Sequence, residues 1–239
     1  MNIETIANIS ERSENLCFHF TDKQNWTSIQ ENGLMPLNNG KNSRVTGREK
    51  PAVFFSKGFR GALGTVNRFL INISRAPLSE NRDYYEKEFP LLFKMYNENS
   101  TNNDWVYSIA YEYFKDKIYL VLDLNGVMKE EFEKLSDDNR KGIDYIIDDI
   151  NFENSQRQTI RNMHTIVGKG VDTGKIKKLS GDAISVLINM YDSYILAHPN
   201  QNVLQTEEWE NRAITCDLIS GFIQFLKEKN KEKNLPEID

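Results

Sequence analysis

Cys17-Phe18-His19-Phe20-Thr21 decides the reading of this chain: a short apolar strand with one imidazole set in it, running directly into a polar helix and then Gly33-Leu34-Met35. Leu16 to Phe20 has the composition of a buried strand. Asp22 is placed to cap the following helix, Trp26 and Ile29 give that helix an apolar face, and Asn32-Gly33 closes it, glycine supplying the left-handed cap. Strand, helix and stop follow one another with no linker.

Outward from this unit, residues 38–50 are polar and carry Lys41, Arg44, Arg48 and Lys50, which reads as an exposed basic loop. Pro51-Ala52-Val53-Phe54-Phe55-Ser56-Lys57-Gly58 then gives a strand over 52–55, and Leu63, Val66, Phe69, Leu70 and Ile73 recur at helical spacing over 59–73. The aromatic stretch around Tyr84-Tyr85 and Phe89-Pro90 reads as a helix over 84–97 followed by a loop to Asp104. Ile118 to Leu124 is the clearest strand, ended by Asn125-Gly126. Short segments at 129–135 and 143–150 precede a loop over 151–161. Met163-His164-Thr165-Ile166-Val167 and Lys175 to Leu179 read as strands joined through Gly168-Lys169-Gly170 by a hairpin turn, since that glycine pair lacks the spacing of a phosphate loop. Residues 182–198 and 207–229 are helical, with Leu187, Met190 and Tyr194, then Ile214, Leu218, Phe222 and Phe225, on their apolar faces. The reading is an α+β protein with a lead-in over 1–15, a strand-rich core over 16–180 and a helical pair over 181–239 packed on that core.

Composition bounds the rest. Hydrophobic residues at 39% and charged residues at 27% belong to an ordinary globular chain. A net charge of −5 and a pI of about 5.4 exclude nonspecific binding to a phosphate backbone as the main business of the surface. The two cysteines, Cys17 and Cys216, have no Cys or His neighbours at metal-ligand spacing, so no metal centre is expected. No segment approaches the roughly 18 apolar residues of a spanning helix, and residues 1–15 lack a signal-peptide core, so a cytoplasmic protein with no membrane partner is expected.

The order of a strand bearing His, a helix, Gly-Leu, a basic loop and an aromatic strand ending in Ser resembles the first half of the ADP-ribosyltransferase fold, in its poly(ADP-ribose) polymerase-like branch. The resemblance implies an ADP-ribosyltransferase-like split mixed sheet with flanking helices, NAD as substrate and cofactor, and a macromolecular acceptor, protein or nucleic acid. It implies that His19 holds the nicotinamide ribose, that Thr21 and Ser56 lie near the amide, and that Phe54, where the family has Tyr, or Phe55 lies against the ring. It further implies that these residues share one cleft with His164, which stands where the family has its catalytic Glu. Arg44 and Arg48 are then candidates to clamp the pyrophosphate, arginine forks suiting that role. Each position also has a plain reading: core histidine, core phenylalanine, solvated loop.

Cleaving the glycosidic bond of NAD leaves positive charge on the ribose, so the chemistry needs fixed hydroxyls and an anion near the anomeric carbon. An imidazole at position 164 does not supply that anion. Three outcomes follow: binding of NAD or ADP-ribose without efficient turnover; a carboxylate from elsewhere, Glu153 first and then Glu207 or Glu208; or a related phosphate reaction like that of the RNA 2′-phosphotransferases. The leading expectation is an NAD-dependent mono-ADP-ribosyltransferase, and the alternative is a noncatalytic NAD, ADP-ribose or protein-binding module.

Overall fold

The computed structural model describes residues 16–35, 53–98, 102–123, 164–167, 171, 173–197 and 218–233. The chain divides into two compact units, Met1–Ala62 with Lys117–Gly181, and Leu63–Asp116 with Asp182–Asp239.

The first unit holds a five-stranded sheet built from β1 (Leu16–Asp22), β2 (Val53–Lys57), β3 (Lys117–Asp123), β4 (His164–Val167) and β5 (Ile176–Lys178), in the order β4-β2-β1-β3-β5. Every neighbouring pair is antiparallel. β1 and β3 pair along their whole length, from Leu16 opposite Asp123 to Asp22 opposite Lys117. The mixed α+β class expected from the sequence is what the chain adopts. The hairpin expected between 163–167 and 175–179 is not formed: β4 pairs with β2 and β5 with β3, at opposite edges of the sheet. Adjacent strands in sequence gave no reason to separate them; what separates them is that β1, β2 and β3 are the apolar strands and take the centre.

The helix α1 (Trp26–Asn32) follows a 3-10 turn at Lys23–Asn25. Asp22 stands at the N-cap of that turn, yet its side chain makes no capping bond; its carboxylate instead accepts a hydrogen bond from Lys117 Nζ at 2.7 Å. The helix stops at Gly33, whose φ of 78° is the positive value that the sequence demanded of a glycine, with its N–H on the Ile29 carbonyl at 2.9 Å. α1 covers one sheet face: Ile29 and Leu34 are buried with Cys17, Val53, Phe55, Ile118, Leu120, Leu122 and Ile176, and Trp26 packs against them. Leu34 is tied down by paired backbone bonds with Val171, 2.9 Å each way.

The helix α2 (Gly58–Arg75) leaves β2 through Gly58, φ 63°, and passes from the first unit into the second. The second unit is helical: α3 (Arg82–Glu88), α4 (Leu92–Glu98), α5 (Asp104–Phe114), α6 (Ala183–Ala197) and α7 (Leu218–Lys233). The single helix expected over 84–97 is broken at Phe89-Pro90, because proline offers no N–H and forces its predecessor out of the helical region; Phe89 sits at φ −134°, ψ 73°. α5 begins where the expected loop ends, at Asp104, over a stretch with no expected element, and it buries Trp105, Val106, Ile109, Ala110 and Phe114 along one stripe. α6 and α7 pack on each other and on α5. Asn67, 1% exposed on α2, accepts the N–H of Ile219 in the first turn of α7 at 3.1 Å. Tyr107 lies over Gly221, where a Cβ would come within 2.9 Å of the ring carbon Cζ.

Candidate functional site

Residues that face each other across an antiparallel pair present their side chains to the same face of the sheet, and neighbours along a strand present theirs to opposite faces. That rule, applied to the register, sorts the candidate residues. Ser56 is paired with Phe18. His19, one residue further along β1, is paired with Leu120. Ser56 and His19 therefore lie on opposite faces, and the single cleft expected to hold both is not formed. Ser56 is buried at 6% exposure on the face where Phe18 meets Phe59, ring centroids 5.6 Å apart.

His164 is paired with Ser56, so its position belongs to the Ser56–Phe18 row and not to the row of His19. The residue of β4 opposite Phe55 is Thr165, and Phe54 is opposite Ile166. The register thus places the two histidine positions in different rows of the sheet. Local pattern carries no signal of this, because one residue of register moves a side chain from one face to the other.

His19 is half-buried, and its ring lies 5.7 Å from that of Phe55, tilted by 55°. Phe55 itself is 1% exposed and belongs to the buried cluster under α1, so its ring fills core. Thr21, two residues along β1, shares the His19 face, and its Oγ1 accepts a hydrogen bond from Asn25 Nδ2 at 3.1 Å. Across the sheet, Leu120 is opposite both His19 and Lys178. The Lys178 ammonium stands 5.9 Å from the centroid of Trp26, and both residues are half-buried. Sequence reading marked the strand that ends in Lys178 but not the lysine, because a charge in a short polar strand carries no local signal of which face it takes.

Arg44, Arg48, Glu153, Glu207 and Glu208 lie outside the described residues, as do 129–135, 143–150, the lead-in over 1–15 and Cys216. Among the described residues, no Asp or Glu occupies a register position in the His19 row, which holds Thr165, Phe55, His19, Leu120 and Lys178. Among them, too, no group of three or more His, Cys, Asp and Glu side chains is placed to hold a metal ion, and no helix is long and apolar enough to cross a membrane.

What these observations define is a small antiparallel sheet whose His19-bearing face is partly covered by the helix that follows its first strand. In comparisons with known proteins, the chain matches no family model, no curated protein and no solved structure.

Proposed function

We propose that this chain recognises NAD or another ADP-ribose derivative on the His19 face of its sheet, as a binding module of ADP-ribosyltransferase-like build. The observation that carries the reading is the adjacency of β4, β2 and β1, the strands on which the three family motifs fall, together with the grouping of His19 and Thr21 on one face. A neutral imidazole donates to a ribose hydroxyl, and the Thr21 hydroxyl beside it supplies a further polar group. Ser56 has no part in this site. Phe55 acts beneath His19, fixing the imidazole plane.

Transfer of ADP-ribose to a macromolecule, protein or nucleic acid, is the second reading, and the same strand adjacency supports it. Transfer needs an anion at the developing oxocarbenium ion, and the described part of the His19 row offers none. On this reading Glu153, Glu207 or Glu208 supplies the carboxylate, with NAD as the substrate and Arg44 and Arg48 at its pyrophosphate.

One experiment separates the two. Thermal unfolding of the protein is followed with and without NAD, in parallel with release of free nicotinamide. A raised midpoint without release, abolished in His19→Ala and retained in Ser56→Ala, is the result expected of the binding module. Sustained nicotinamide release that falls in a Glu→Gln variant establishes the transferase. No shift with NAD or ADP-ribose at millimolar concentration refutes both.

A further inference from the structure

We draw no further inference here: the strongest candidate, the run of half-buried rings on the helical unit from Phe69 through Tyr113 and Phe89 to Tyr85 and the exposed Tyr84, is an aromatic face beside charges of both signs on α3, and nothing in the structure shows what covers it.

Discussion

Replacing Asn67 by Ala tests how the helical unit is held together. Asn67 is 1% exposed, and its Oδ1 accepts the N–H of Ile219, 3.1 Å away, in the opening turn of α7. The first N–H groups of a helix have no partner within it, and here one of them is met by a residue 152 positions earlier in the chain. Truncation removes the acceptor and strands a buried donor. A lost helix cap costs about 1 kcal/mol, and a buried donor left unmade costs about 1–3 kcal/mol. These overlap, so the sum is about 2–3 kcal/mol. With a urea dependence of about 1–3 kcal/mol per molar, the midpoint falls by about 1 M. Trp105 is buried in the same unit, and its fluorescence reports the transition. Asn67→Asp keeps an acceptor at the positive end of the α7 dipole and is expected to lose less than Ala above the carboxylate pKa. A loss below about 0.5 kcal/mol for Asn67→Ala, the scale of an unremarkable surface change, refutes the claim that this side chain fastens α7.

Gly221→Ala drives a methyl into the Tyr107 ring and is expected to destabilise by about 1–3 kcal/mol in urea unfolding, with part of the loss recovered when Tyr107 is shortened to Leu. Asp182 Oδ1 accepts the Ser185 N–H at 2.7 Å at the start of α6, so Asp182→Ala is expected to cost about 1 kcal/mol in the same assay. Burial, reinforced by Tyr84, raises the Tyr85 phenol above its ordinary value of 10.0. The folded state then holds that proton more tightly than the unfolded chain, so the stabilisation is complete below pH 10 and declines as pH climbs through the folded value; Tyr85→Phe is expected to flatten the fall in melting midpoint above pH 10, and an unchanged slope refutes it.

Much of the fold was legible because its elements are locally consistent. The strand at Leu16–Asp22, the stop at Gly33, the aromatic strand before Gly58 and the central strand at Lys117–Asp123 all follow from apolar runs bounded by glycine, proline or a charge. The helix at Asp104–Phe114 falls in a stretch with no expected element, although Trp105, Val106, Ile109, Ala110 and Phe114 lie on one stripe. Strand order was not legible. Nothing local in His164–Val167 or Ile176–Lys178 says that the two go to opposite edges, because pairing is decided by long-range competition for the apolar centre.

The candidate site turns on the same distinction, at a finer scale. Motif reading places residues on strands, and the strands bearing His19 and Ser56 are indeed neighbours, β1 beside β2, while β4 pairs with β2 and not with β5. Chemistry depends on faces, and a face is fixed by parity. Phe18 opposite Ser56, and Ser56 opposite His164, put those three positions in one row, while His19 keeps company with Leu120 and Lys178. Had the pairing of β1 with β2 shifted by one residue, Ser56 would have stood beside His19 and the expected cleft would have closed around both. As it is, the imidazole lies against the buried ring of Phe55, and Thr21 and Lys178 hold register positions on the same face. On the proposed reading of His19 as a ribose contact, the register positions described in its row carry no carboxylate, which suits holding a dinucleotide at rest better than stabilising the cation that forms when its glycosidic bond breaks.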